Sequence, residues 1–254
     1  MGKHILFYLF ISFPLFLAAQ NSDTTIRKVY VGFNYSTDIF PESWRSMPIN
    51  ASGHQMDRNE IQRSKVIIAR ALAKYPEVIF EYNLKFVYFL KDMKFYDVGY
   101  GGTNSADAVY LTNQGVSAGY TARYLEQTFH HEFSSILFRN YPSFLDTTEW
   151  KAANGPGFLY NDPENGVGAI RNNQSSQVFD TLLCQKGILT QYAASGIEND
   201  INTLAQNLFR PEKDFWVFTD RFPRIKKKVN LLIGFYGKIS AVYTEAYFRK
   251  MDKY

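Results

Sequence analysis

Apolar and polar positions follow two different periods along the first half of the chain. Residues 59–75 place apolar side chains at helical spacing among charged ones, which predicts an amphipathic helix. Short apolar runs at 29–33 and 108–112 predict buried strands. Residues 78–97 alternate aromatic and polar side chains, so we expect two strands that are joined near residues 91–92.

The second half of the chain predicts helices on either side of one long loop. A helix is expected over 123–140, and the Gly-, Pro- and Asn-rich residues 143–174 are expected to form a functional or mobile loop. Further helical patterns cover 177–183, 198–209 and 227–249. This order predicts an α+β fold, with a small mixed sheet packed on helices, rather than an alternating parallel-sheet fold.

The first 19 residues have the pattern of a secretory signal peptide. Lys3 precedes an apolar run over 5–17, and small residues at 18–19 suit cleavage. The run is too short for a permanent membrane span, so we expect an exported protein, periplasmic or extracellular. Residues 20–254 are then expected to form a single domain, with the sheet in the part to about 142 and a helical part from about 175.

The net charge narrows the possible partners, and the cysteine content limits disulfide and thiol chemistry. The formal net charge is only +4, and no nucleic-acid-binding motif is present, so nucleic acid is not an expected partner. The basic run at 224–228 opens a helical pattern and predicts a solvated helix end. Cys184 is the only cysteine, which excludes an intrachain disulfide, and its apolar neighbours predict a buried, unreactive thiol.

The stretch at 129–137, FHHEFSSIL, contains half of a zinc-peptidase motif. In an intact H-E-x-x-H helix, two histidines one turn apart bind zinc and the glutamate acts as general base. His131 and Glu132 supply the first half, but Ser135 occupies the second histidine's position. His130 lies about 100° around the helix from His131 and cannot easily share an ion with it. The alternative to a zinc site is that the His-His-Glu residues have only a structural role.

The order of elements around this motif resembles a known family. A predicted strand, the motif helix, a long loop and the segment 187–209 follow one another as in secreted bacterial zinc-binding metallopeptidases of the gluzincin-like kind. In that family the zinc ligands are two histidines of the first helix and a glutamate of a later one. The later helix follows a Tyr-Ala-x-Ser segment, and residues 191–202, QYAASGIENDIN, have the same build.

The resemblance implies roles for individual residues. His131 matches the first zinc ligand, and Glu132 matches the general base that polarises a zinc-bound water. Asp200 matches the family's aspartate, which sets Asn199 at the ligand glutamate, while Glu198 is one position early. The implied metal ligands are therefore His131 with Glu198 or Asp200. Both carboxylates also suit a helix start, where they meet the positive end of the helix dipole.

Ser135 and Asn199 depart from the family pattern and leave two functions open. One is zinc-dependent hydrolysis of peptide bonds, with His130 or Tyr192 stabilising the oxyanion. The other is a non-catalytic protein that binds a peptide- or glycan-associated partner in the same cleft. In either case Trp150 is a candidate for lining the substrate groove, although an aromatic residue in a long loop commonly anchors that loop instead.

Overall fold

Two β-sheets and ten α-helices form the structure, a computed structural model that describes residues 22–162 and 166–251. The predicted signal peptide at residues 1–19 lies outside the described residues. The strands are β1 (Thr24–Ile26), β2 (Val29–Gly32), β3 (Ser52–His54), β4 (Phe86–Leu90), β5 (Asp92–Phe95), β6 (Val98–Gly99), β7 (Gly102–Asn104) and β8 (Ala108–Thr112).

The larger sheet is mixed, with the strand order β1-β2-β4-β8-β7. Strands β2, β4 and β8 run parallel, and β1 and β7 are antiparallel edge strands. The smaller sheet, β3-β5-β6, is antiparallel throughout. The chain is thus an α+β protein, as the sequence predicts.

The helices are concentrated in the second half of the chain. They are α1 (Arg58–Leu72), α2 (Val78–Asn83), α3 (Ala122–Asn140), α4 (Thr147–Ala152), α5 (Val167–Arg171), α6 (Thr181–Gln185), α7 (Ile197–Phe209), α8 (Phe215–Arg221), α9 (Pro223–Ile239) and α10 (Glu245–Lys250). No helix within the described ranges is both long enough and apolar enough to span a membrane.

The main hydrophobic core lies between the larger sheet and the helices α1, α3, α7 and α9. Helix α3 is buried on most of its surface, because it packs on α1, α7 and strands β7 and β8. Every residue of β8 is buried, because strands flank it on both sides and side chains cover both faces. Helix α3, which carries the His-His-Glu sequence, is therefore fixed at the centre of the fold.

The strands predicted at 29–33 and 108–112 are present, as are helices over most of 59–75, 123–140 and 198–209. The strand prediction for residues 78–83 is wrong, because this segment is helix α2. Its buried side chains are Ile79, Phe80 and Asn83, a helical spacing that a short aromatic run conceals. The second part of the same prediction, two strands joined near residues 91–92, is confirmed.

Several helix boundaries in the second half differ from the prediction. The single helix expected at 227–249 is two helices, α9 and α10, and Thr244 caps the second by accepting a hydrogen bond from Tyr247 N. The helix expected at 177–183 begins only at Thr181, because Asp180 caps it. The loop predicted at 143–174 contains the short helices α4 and α5, and α8 was not predicted.

The basic run at 224–228 is only partly solvated. Lys226 and Lys227 are exposed and make ion pairs at the surface, as predicted for a helix end. Lys228 is completely buried, and its predicted exposure is wrong because it lies on the apolar face of α9. Cys184 is buried as predicted, and burial raises the pKa of its thiol to about 12, which keeps it protonated.

Candidate functional site

A polar pocket of about 260 Å³ lies where β7, α3 and α7 meet. His131 and Glu132 reach it from α3, Gln206 from α7, and Tyr192 from the short turn before α7. The remaining described lining residues are Gly99, Tyr100, Gly101, Gly102, Tyr124, Gln127, Thr128, Ile170, Ser175 and Gln177. The sequence-predicted residues His131, Glu132 and Tyr192 are thus brought together.

Helices α3 and α7 face each other through two hydrogen-bonded pairs. His131 Nδ1 lies 2.8 Å from Gln206 Oε1, and Asn202 Nδ2 donates to Ser135 Oγ at 2.6 Å. His131 and Ser135 are one turn apart on α3, as Asn202 and Gln206 are on α7, so the four side chains form a closed square. Within this square, we define Ser135, Asn202 and Gln206 as the neutral partners of His131.

Glu132 is the carboxylate of the pocket. Its Oε2 accepts a hydrogen bond from Asn104 Nδ2 at 2.6 Å. Burial raises the pKa of Glu132 above its ordinary value, and the nearby charge of Glu198 raises it further. The neighbouring His131 imidazole, the Asn104 hydrogen bond and the Arg139 guanidinium oppose this shift. Glu132 is therefore a carboxylate whose charge is incompletely compensated by the protein.

Glycine at position 102 allows β7 to lie directly on α3. A Cβ atom there would stand 2.9 Å from Glu132 Oε1 and press on the Thr128 side chain. At Gly101 a Cβ atom would collide with the Tyr124 hydroxyl. The two glycines thus set the width of the pocket by keeping the strand against the helix that carries Glu132.

The predicted ligands at the start of α7 do not all reach the pocket. Glu198 lies near Glu132, but its carboxylate faces Arg139 Nη1 at 3.6 Å. Asn199 Nδ2 donates to Ser195 Oγ at 2.8 Å. Tyr192, in contrast, places its ring 5.9 Å from the ring of His131, and burial raises the pKa of its phenol.

Asp200 and Trp150 belong to a different part of the interior. Asp200 Oδ2 accepts hydrogen bonds from Trp150 Nε1 at 2.9 Å and Tyr160 OH at 2.7 Å, and Lys228 Nζ lies 2.6 Å away. Both side chains of the Asp200–Lys228 pair are completely buried. The structure therefore brings neither Asp200 nor Trp150 to the pocket. Trp150 anchors α4 to the core instead of lining a groove.

His130 points away from the pocket. Its Nδ1 lies 2.8 Å from the hydroxyl of Tyr75, and its Nε2 faces Glu126 Oε1 at 4.0 Å. Lys74 pairs with the same Glu126 oxygen at 2.6 Å, and Arg210 approaches the other oxygen at 3.4 Å. Burial lowers the pKa of His130 to about 4, with Lys74 and Arg210 adding to the effect and Glu126 opposing it. His130 is therefore a neutral core residue near pH 7.

The lowered pKa of His130 predicts acid sensitivity of the fold. As pH falls below 6.5 the unfolded chain protonates this histidine, but the folded chain does so only near pH 4. The free energy of unfolding should therefore decline over that window, by up to about 3 kcal/mol from this group. Urea unfolding at several pH values should show a shallower decline for His130→Asn, whose amide can still bond to Tyr75. Equal declines in both proteins would contradict the assignment.

The side chains around His131 do not fit a zinc ion. Within residues 22–162 and 166–251, no group of three or more His, Cys, Asp or Glu side chains is placed to hold a metal. A hydroxyl and two amides surround His131, and these are poor zinc ligands beside imidazole, thiolate or carboxylate. No catalytic step through zinc can be derived from this donor set.

Sequence reasoning missed Asn202 and Gln206 as members of the site. Both follow Glu198 at intervals of four residues, so helical periodicity could have placed them on one face of α7. Gln127 and Gln177, which also line the pocket, carried no motif signal. Glutamine is common on helix surfaces, and only tertiary packing brings three of them to one cavity.

No family model, no curated protein and no solved structure matches this chain. Its function must therefore be inferred from the chemistry of the pocket. Among the described residues, the pocket lining offers one carboxylate, one imidazole, several amides and three tyrosines. These groups are suited to hydrogen bonding and ring contacts with a polar ligand.

Proposed function

We propose that this chain is an exported, non-catalytic binding protein built on a zincin-like metallopeptidase scaffold, whose pocket takes a segment of peptide. The observation that carries the proposal is the square formed by His131 and its neutral partners. In it, the positions that would hold a metal are occupied by a hydroxyl and two amides that already bond across α3 and α7.

The arrangement of elements supports the scaffold part of the proposal. Helix α3 carries His131 and Glu132 and follows the sheet, and α7 packs along it. On α7, Asn202 faces the position where the second histidine of the intact motif would stand. A metallopeptidase would need an ionisable ligand at Asn202 as well as a histidine at Ser135. Because the side chains at both positions are neutral, they support a site that no longer binds metal better than a site that binds metal through replaced ligands.

Glu132 alone is not sufficient for peptide hydrolysis. In metallopeptidases the glutamate acts on a water whose pKa the metal has lowered. A carboxylate without that assistance is a weak base towards water, because the pKa of bulk water is about 15.7. Glu132 is therefore better suited to bind a ligand group than to activate water.

The chemistry of the pocket supports a peptide as the ligand. The side-chain oxygen of Gln127 can accept from peptide groups, and the side-chain NH₂ of Gln177 can donate to them. Strand β7 is the last strand of the larger sheet and borders the pocket through Gly102. An extended segment beside such an edge can use main-chain hydrogen bonds for affinity.

The proposal predicts peptide binding without zinc or cleavage. Peptides selected from a random library on the purified protein should bind without being cut, and elemental analysis should find no stoichiometric zinc. Ser175→Trp should abolish binding, because Ser175 lines the pocket and the indole would fill it. The control is Gln174→Trp, an exposed neighbour outside the pocket lining, which should bind as the native chain does.

Two results would overturn the proposal. One is a zinc ion per chain that His131→Ala removes, together with cleavage that Glu132→Gln abolishes, which would establish a metallopeptidase. The other is peptide binding that survives Ser175→Trp unchanged, which would place the binding surface outside the pocket.

A further inference from the structure

We propose that the pocket recognises a primary ammonium group, that of a peptide amino terminus. This inference rests on the proposed function and specifies which end of the peptide enters. It is carried by the position of Glu132, which lies against Gly102 with one oxygen bonded to Asn104. Among the described residues, the other oxygen, Oε1, takes no hydrogen bond.

The described residues that line the pocket give Glu132 no permanently charged cationic partner. No lysine or arginine is among the described residues that line it. Arg139, whose charge acts on Glu132, makes no direct ion pair with it, because its Nη2 donates to Asn104 Oδ1 at 2.6 Å and Ser105 O at 2.7 Å. A partly buried carboxylate that lacks a directly paired cation favours a ligand that brings positive charge.

Acceptor atoms that line the same pocket as Glu132 suit the three hydrogens of an ammonium. Gln127 also lines the pocket from α3. It donates its side-chain NH₂ to Arg210 O at 2.8 Å and Glu212 Oε1 at 3.1 Å. Its side-chain oxygen is left as an acceptor. A carboxylate oxygen and an amide oxygen together satisfy two of the three ammonium donors, and water can take the third.

Aromatic rings complete the environment for a cation. Tyr100, Tyr124 and Tyr192 all line the cavity. Tyrosine rings attract ammonium groups through their π faces, and the attraction grows as water is excluded. A neutral sugar could offer Glu132 only hydroxyl hydrogen bonds, whereas an ammonium gains both an ion pair and ring contacts.

The size of the cavity indicates a chain end. A volume of about 260 Å³ accommodates roughly one residue, which is below the usual range for drug-sized ligands. A peptide that passed through the cavity would place uncharged groups beside Glu132. A terminal residue places its ammonium beside Glu132. The peptide groups that follow it then lie along β7, at the border of the pocket.

The test compares Ala-Ala-Ala with N-acetyl-Ala-Ala-Ala by calorimetric titration of the native chain. The free peptide should bind about tenfold more tightly or better, the effect expected for a charge-assisted hydrogen bond. Glu132→Gln should remove this preference. Glu149→Gln, which alters an exposed carboxylate on α4 outside the pocket lining, should keep it.

Two further probes identify the source of the ammonium. N-acetyl-Ala-Ala-Lys offers a side-chain ammonium and glucosamine offers one on a sugar, and both should bind more weakly than Ala-Ala-Ala. Tighter binding of either probe would overturn the assignment to an amino terminus.

Equal binding of the free and acetylated tripeptides, with Glu132→Gln unchanged, would overturn the ammonium inference. The peptide-binding function would survive that result, because it is judged separately by the loss of selected peptides in Ser175→Trp. Absence of binding by both tripeptides, while selected peptides still bind, would likewise overturn only the inference.

Discussion

Replacing Lys228 with methionine is expected to lower the free energy of unfolding by about 3–5 kcal/mol, the range for breaking a buried ion pair by removing one partner. Lys228 Nζ lies 2.6 Å from Asp200 Oδ2 and 2.7 Å from Gly187 O, with no exposed surface on either charged side chain. Methionine preserves most of the volume but leaves the Asp200 carboxylate buried without a cation. That uncompensated charge is the cause of the loss.

Urea unfolding of Lys228→Met and of two companion variants measures this effect. Lys227→Met is the matched control, because the neighbouring lysine is half-exposed and pairs with an exposed Glu149, so its loss should be small. The double variant Lys228→Met/Asp200→Asn removes both charges and should be more stable than Lys228→Met alone. A double variant that simply adds the losses of the two single changes would contradict a charge-pair origin.

The burial of Lys228 can be detected from the sequence, but its ion-pair partner cannot. The apolar stripe of α9 includes Ile225, Val229 and Leu232, and position 228 falls on the same face at helical spacing. A lysine on that stripe is a detectable conflict, although the surrounding basic run conceals it. The identity of its partner is not detectable, because Asp200 lies on another helix and only tertiary packing brings the two together.

The helices α1, α3 and α7 and the parallel strands β2, β4 and β8 were predictable, because their apolar periods are regular. Helix α3 could be placed from sequence, since its buried positions and the proline at position 142, shortly after its end, are both local signals. Residues 78–83 could not be assigned correctly, because six residues are too few to separate a period of two from one of 3.6. Regular periods therefore located the helices α1, α3 and α7, whereas the short helix α2 and the break between α9 and α10 were missed.

The candidate site was predictable only for its residues on α3, because only these belong to a local sequence motif. His131 and Glu132 share a motif, so their position on one helix followed directly from the sequence. Which residues of α7 would face them depended on how far that helix slides along α3, and no local signal sets this register. The structure places Asn202 opposite Ser135 and Gln206 opposite His131, one and two turns further along α7 than Glu198.

The register of α3 on α7 yields a second prediction with a large effect. The double variant Ser135→His/Asn202→Glu should bind zinc at least about 100-fold more tightly than the native chain, equivalent to ~2.7 kcal/mol. The new histidine would stand one turn from His131, and the new glutamate would face both from α7. Two imidazoles, a carboxylate and a water make an ordinary catalytic zinc donor set.

Zinc titration followed by thermal or urea unfolding would measure this gain. Zinc at 100 times the dissociation constant should raise the free energy of unfolding by ~2.7 kcal/mol, and the native chain should show no such rise. Adding His131→Ala to the double variant should abolish the rise, because it removes one of three protein ligands. A fourth protein, Ser135→His with native Asn202, tests the new histidine without the new glutamate. It should bind zinc weakly.

The outcome also bears on the function proposed for the native pocket. If two substitutions create a zinc site, the backbone of α3 and α7 retains the geometry of a metal centre, and only the side chains have changed. A stable double variant that binds no zinc would contradict that reading of the square around His131. In that case the hydrogen bonds from Ser135 to Asn202 and from His131 to Gln206 would be ordinary helix–helix contacts, and the resemblance to metallopeptidases would extend no further than residues 131–132.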